Sequence, residues 1–135
     1  MNLVSVRLIT DDVDRLVAFY ESVTGLSADR PAPVFAELRT PNGTIAIGHS
    51  STAELFGPGS VRAAENRSAI VELLVDDVDA AFDSVRTRGV EVVQEPTTMP
   101  WGNRSLLLRD PDGTLVNLFA PVTQQAIEKF AAFRR

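Results

Sequence analysis

The stretch LVDDVDAAF, residues 74–82, has a near copy in ITDDVDRLVAF at residues 9–19. Around the first copy, residues 3–9 (LVSVRLI) alternate along a β-branched and aliphatic run, which reads as a strand. Val4, Val6 and Leu8 share one face of it, and Ser5, Arg7 and Ile9 the other. Asp11, Asp12 and Asp14 follow, short carboxylates suited to the positive end of a helix. The helix is expected over residues 13–23, with Val13, Leu16, Val17 and Tyr20 as its apolar stripe and Gly25 as its stop. The second copy repeats the plan. Residues 69–75 (AIVELLV) are the strand, Asp76, Asp77 and Asp79 the cap, Val78, Ala81, Phe82 and Val85 the stripe, and Gly89 the stop.

A second echo follows each helix. RTPNGTIAI at 39–47 matches RDPDGTLVN at 109–117, and Asn-Gly or Asp-Gly between apolar runs predicts a hairpin. Each half therefore reads β-α-β-β-β, an α+β unit whose helix covers one sheet face. The 135 residues form a single domain on this reading: module one over 1–50, a linker over 51–66, module two over 67–122 and a C-terminal helix over 123–135. That helix takes Thr123 as its cap and Ile127, Phe130 and Ala131 as a narrow stripe.

Composition narrows the function classes. Hydrophobic residues at 44% and charged ones at 23% describe an ordinary globular chain. No apolar run reaches the ~18–20 residues of a membrane-spanning helix, and no secretory signal core is visible. A cytoplasmic protein without membrane contact is the expectation. The chain has no cysteine, which removes disulfides, thiolate zinc sites and a thiol nucleophile. Its single histidine, His49, excludes the common multi-imidazole metal sites. A net charge of −5 with scattered basic residues argues against nucleic acid as a partner.

The strand–DDVD–helix–Gly pattern, together with the RDPDGTLVNLF hairpin, resembles the vicinal oxygen chelate superfamily of glyoxalases, bleomycin-resistance proteins and extradiol dioxygenases. The resemblance implies a curved mixed sheet, built from both modules, around a ligand cup. Family enzymes hold a divalent metal with His, Gln or Glu at four strand positions. One lies seven residues before the DVD aspartate, here Ser5 and Ile70; the other lies four after the hairpin glycine, here Ile47 and Asn117. Two isoleucines and no carboxylate cannot supply the converging donors such an ion needs. The resemblance thus implies no metal and no cofactor, and a protein that binds a small organic molecule. Sequestration of a drug or natural product, as in antibiotic resistance, is one such role. A lyase, isomerase or dioxygenase of the same superfamily, metal-independent or with shifted ligands, is the alternative. A homodimer is implied by analogy.

Strand parity extends the ligand face from those four positions to Arg7, Ile9, Glu72, Leu74, Ile45, His49, Leu115 and Phe119. By family analogy Phe35, Glu37, Ser105 and Leu107 join it. Arg7 and Glu72 are equivalent in the two copies. They read either as an anchor pair for a ligand carboxylate and amine, or as a salt bridge satisfying two half-buried charges. His49 and Glu72 are the candidate general bases, although a lone histidine such as His49 is more often an ordinary strand-end residue facing solvent. A displaced metal site of His49, Glu37 and Glu72 is opposed by the cationic Arg7 beside it. Trp101 reads as an aromatic lid or as a plug at the sheet edge. Phe119 reads as ligand wall or as core. The DDVD corners and RDPDG are caps and a turn, not a carboxylate dyad.

Overall fold

The computed structural model describes residues 1–133. The order of elements is β1 (Ser5–Thr10), α1 (Val13–Thr24), β2 (Asp29–Ala32), β3 (Phe35–Thr40) and β4 (Gly43–His49), then a 3-10 segment (Ser50–Phe56). The plan repeats with β5 (Ile70–Leu74), α2 (Val78–Val85), β6 (Glu91–Thr98), β7 (Asn103–Arg109) and β8 (Leu115–Pro121). A short helix, α3 (Gln124–Phe130), and a 3-10 turn (Ala131–Phe133) follow. The chain is α+β, with two four-stranded mixed sheets ordered β1-β4-β3-β2 and β5-β8-β7-β6. It divides into two compact units, Met1–Asn66 with Pro111–Gly113, and Arg67–Asp110 with the chain from Thr114. No helix among the described residues is long and apolar enough to cross a membrane.

In the first unit β1 lies parallel to β4, and β3 antiparallel to it. One sheet face carries Ala36, Leu38, Ile45 and Ile47, all buried. The buried stripe of α1, Val13, Leu16, Val17, Tyr20 and Val23, belongs to this core. Each such side chain fully removed from water contributes roughly 1.5–3 kcal/mol. Phe19 is also buried, packing edge-on to Tyr20 at 5.0 Å between centroids, although it stands off the expected stripe.

The two DDVD corners do the same work. Asp12 accepts a hydrogen bond from the Arg15 N–H at 3.1 Å, and Asp77 from the Ala80 N–H at 3.0 Å. Replacing either aspartate by alanine is expected to cost about 1 kcal/mol, read as a lower urea midpoint, because one orphan N–H of the first turn is exposed. Gly25 closes α1 with φ 73°, whereas α2 ends earlier, at Arg86, and Gly89 lies beyond it in the following turn. Asp79 anchors α2 to β7 through two hydrogen bonds from Arg104, at 2.8 and 2.9 Å. Those bonds hold the Asp79 carboxyl below its ordinary pKa.

The hairpins differ by one residue, with consequences for every position after them. In the first, Thr40 pairs directly with Gly43, leaving Pro41 and Asn42 at the tip. Thr-Pro-Asn-Gly suits a tight turn with proline second and glycine fourth, and Gly43 needs no positive φ there. In the second, the ladder stops at Arg109 and Leu115, leaving residues 110–114 outside it. Gly113 takes φ 88°, and Asp110 accepts the Thr114 N–H at 3.0 Å.

Candidate functional site

That one-residue difference sets which side chains face away from the helix in the first unit. Strand partners directly opposite each other point to the same side of a sheet. Arg7 pairs with Ala46 and Glu37 with Ala46, while Ile9 and Phe35 both pair with Gly48. The helix-free face of the first sheet therefore carries Ser5, Arg7, Ile9, Phe35, Glu37, Ala46 and Gly48. Ile45, Ile47 and His49 lie on the opposite face, which corrects their expected placement. Counting four residues from the glycine works in the second hairpin and overshoots by one in the shorter first hairpin. Ala46, not Ile47, is the counterpart of Asn117.

His49 has a local task. It caps the 3-10 segment, its Nδ1 accepting the Ser51 N–H at 3.0 Å. Because His49 and Glu37 stand on opposite faces of one sheet, the shifted metal set with both of them does not assemble. The positions marked for a metal, with the register corrected, are Ser5, Ala46, Ile70 and Asn117. One hydroxyl and one amide among them do not fit a divalent ion. Among the described residues, no group of three or more His, Cys, Asp or Glu could hold a metal.

On the first sheet's face the guanidinium of Arg7 lies 4.7 Å from the Phe35 ring centroid and 5.2 Å from that of Phe56. Phe56 comes from the segment between the modules, where no periodicity signalled it. Gly48 leaves room for the 3-10 segment: a Cβ there would lie 3.0 Å from Thr52 Oγ1, a tight approach, while Arg7 Nη1 at 3.7 Å would be in ordinary contact. A glycine inside a strand pattern is itself a sign of such close approach. Glu37 is occupied by Arg39 at 3.0 Å, and Arg39 also meets Asp29 at 3.5 Å. The hydrogen bond that Arg39 donates to Glu37, and the charges of Glu37 and Asp29, raise the pKa of Arg39. Arg7 has no ion-pair partner among the described residues. Stacked on aromatic rings, its fork of N–H donors suits a carboxylate or carbonyl.

On the second sheet β5 runs parallel to β8 with Glu72 opposite Asn117, and Leu107 and Phe119 pair with Asn117 and Ser105. Ile70, Glu72, Leu107, Ser105, Asn117 and Phe119 therefore share one face, as the alternation predicts. Ile70 is exposed at the sheet edge, and Leu107 is half-buried. Asn117 Nδ2 donates to Glu72 Oε2 at 2.9 Å, so Glu72 is oriented within its own sheet. Three buried oxygens on this face have no hydrogen-bond partner among the described residues: Asn103 Oδ1, Ser105 Oγ and Asn117 Oδ1. Leaving a buried polar atom unpaired costs about 1–3 kcal/mol. Their burial comes from the protein's own packing, since Phe130 of α3 lies against Phe119 at one end of this face. Asn103 was not legible as a site residue because it opens its strand just after a turn.

Phe119 is buried and meets Phe130 of α3 edge-on at 5.2 Å. Ala126 is the buried residue of α3, while Ile127, expected on its apolar stripe, is exposed. Trp101 is no plug: its side chain is 67% exposed in the turn before β7. The buried neighbour Gly102 takes the packing role instead, receiving the N–H groups of Val122 and Thr123 on its carbonyl.

Comparison with known proteins agrees with this architecture. The chain is 26% identical over 125 residues to YraH of Bacillus subtilis, covering 88% of this chain and 98% of YraH. It is similar to the crystal structure of a glyoxalase/bleomycin resistance protein/dioxygenase family enzyme from Burkholderia phytofirmans, with TM-score 0.80 and 20% identity over 90% of this chain and all of that one. TioX from Micromonospora sp. ML1 superposes with TM-score 0.68 at 27% identity, over 90% of this chain and 100% of TioX. The family model for the glyoxalase/bleomycin resistance protein/dioxygenase superfamily matches residues 2–118. A repeated β-α-β-β-β unit, matched along nearly its whole length, places this chain in the glyoxalase/bleomycin resistance protein/dioxygenase superfamily.

Proposed function

We propose that the protein binds a small organic molecule without a metal ion, as a sequestering protein of the kind that confers resistance to a drug or natural product. The observation that carries this reading is the exchange of donor types on the sheet faces that hold these positions. The metal-ligand positions hold Ser5, Ala46, Ile70 and Asn117, while recognition groups stand on the same faces: Arg7, stacked on Phe35 and Phe56 with no ion-pair partner among the described residues, and Glu72, hydrogen-bonded by Asn117. Apolar surface with a few placed polar groups is what pockets for medium-sized organic molecules present. The exposed apolar side chains Leu3, Val4 and Val6 around β1 support a homodimer as the working assembly.

The test is thermal denaturation across a library of natural-product-like compounds, with and without EDTA. A ligand raises the melting temperature in proportion to RT ln(1 + [L]/Kd), and the rise is expected to be the same with chelator present. Arg7→Gln is expected to weaken binding of carboxylate- or carbonyl-bearing hits about tenfold, since a charged hydrogen bond is lost. A melting temperature that falls on chelation would overturn the proposal.

A second reading rests on Glu72. Its carboxylate accepts a hydrogen bond from Asn117, which supports a role as metal-independent general base for a lyase or isomerase. Turnover abolished by Glu72→Gln, with binding retained, would favour it.

A further inference from the structure

The first unit carries a more specific message about the ligand, and it rests on the small-molecule reading above. We propose that the helix-free face of the first sheet is a carboxylate site, where Arg7, held by Phe35 and Phe56, takes the single negative charge of an organic acid with an apolar body.

Two arginines stand on that face, and their situations differ. Arg39 is held by Glu37 at 3.0 Å and by Asp29 at 3.5 Å. Arg7 lies in the same row as Glu37, with Ala46 between them, yet it has no ion pair among the described residues. Its guanidinium carbon rests over the Phe35 and Phe56 rings instead. A ring face attracts the charge of a cation, and it leaves the fork of N–H donors without a carboxylate. The Arg7 side chain is also exposed, so a molecule from solution reaches it.

Phe56 is fastened from the start of its own segment. His49 Nδ1 accepts the Ser51 N–H at 3.0 Å, Thr52 Oγ1 donates to the His49 carbonyl at 2.7 Å, and Ser50 Oγ donates to Asp11. Those bonds set the turn that carries Phe56 over Arg7. The ring itself is 56% exposed, so it adds little to the core. Phe56 is a positioning residue for the guanidinium.

Charge then selects the kind of anion. A carboxylate matches the planar fork with two parallel N–H···O bonds, and Arg7 balances its one charge. A phosphate monoester brings nearly two charges. The second would have no cation left to meet, because Glu37 and Asp29 already share Arg39. A neutral amide offers an oxygen without the charge. The chain's net charge of −5 gives anions no general attraction, so a preference for one is local to Arg7.

The experiment is a chemical-shift titration of the isotope-labelled 135-residue chain at pH 7 with 2-naphthoate, its neutral isostere 2-naphthamide, and 2-naphthyl phosphate. The expected result is binding of naphthoate with shifts at Arg7, Phe35 and Phe56, at least about tenfold weaker binding of the amide, and weaker binding of the phosphate. Arg7→Gln should bring naphthoate down to the level of the amide. Phe56→Leu should weaken naphthoate about two- to fivefold, leaving the amide and the melting temperature unchanged, which a merely structural ring would not do. Equal affinity for naphthoate and naphthamide, tighter binding of the phosphate, naphthoate binding indifferent to Arg7→Gln, or binding of none of the three overturns the inference. If neutral compounds bind without metal and are indifferent to Arg7→Gln, the small-molecule reading stands and this inference alone falls.

Discussion

Replacing Gly102 by alanine is expected to destabilise the second unit by about 2–4 kcal/mol, since an added Cβ there meets the closest contacts of any glycine in the chain. Two independent costs add there. Gly102 has φ 94°, and an L-residue in the left-handed region is strained by roughly 1–2 kcal/mol. The new Cβ would also overlap Thr123 Oγ1 and stand 3.1 Å from Ala126 Cβ. Neither neighbour can withdraw freely. Thr123 caps α3 by accepting the Ala126 N–H at 3.3 Å, and its own N–H donates to the Gly102 carbonyl at 3.2 Å. A methyl at residue 102 therefore pushes α3 off its seat and disturbs the Phe130–Phe119 contact at the edge of the candidate face. Urea denaturation should show the lower midpoint, and proteolysis should cut the C-terminal segment first. An equal substitution at Gly59, where an added Cβ meets nothing within 4 Å, controls for the loss of glycine at positive φ.

Ile47→Ala is expected to cost about 2–5 kcal/mol of stability while leaving ligand affinity unchanged. Ile47 is fully buried on the helix side, with Ala36 as its ladder partner and Leu38 and Ile45 close by on the same face. Truncating it opens a cavity that the closely packed core collapses into only partly. The split between the two readouts matters more than the size of the loss. A side chain on the ligand face would change affinity; one in the core changes the denaturation midpoint alone. Retained stability with lost binding would return Ile47 to the ligand face and overturn the register.

The contrast between Ile47 and Asn117 shows how far the chain could be read without coordinates. Both were located by the same count from a hairpin glycine. The fold needed only features that survive an error of one residue: two strand–DDVD–helix corners, two hairpins and alternating apolar faces. Those are periodic signals, and the sheets, α1 and the cap aspartates follow from them. A site does not share that tolerance, because one residue's shift in a strand turns every later side chain to the other face. The second module, with Asp-Gly at a positive-φ turn, kept its parity. The first module, with proline and asparagine at a shorter tip, lost it at Ile45, Ile47 and His49. Phe56 was illegible for another reason. Its partner Arg7 is distant in the chain, and no local pattern announces a ring that packs across such a gap. Trp101 misled in the opposite sense, since a large aromatic beside a glycine suggests packing, and here the glycine is buried and the indole exposed.

Metal-free binding of an organic molecule is decided by a native mass spectrum of the 135-residue chain purified without chelator. The expected mass is that of the chain or its dimer carrying no divalent ion, with an organic adduct retained from the host or taken up from a compound library. One divalent metal bound per chain would contradict it.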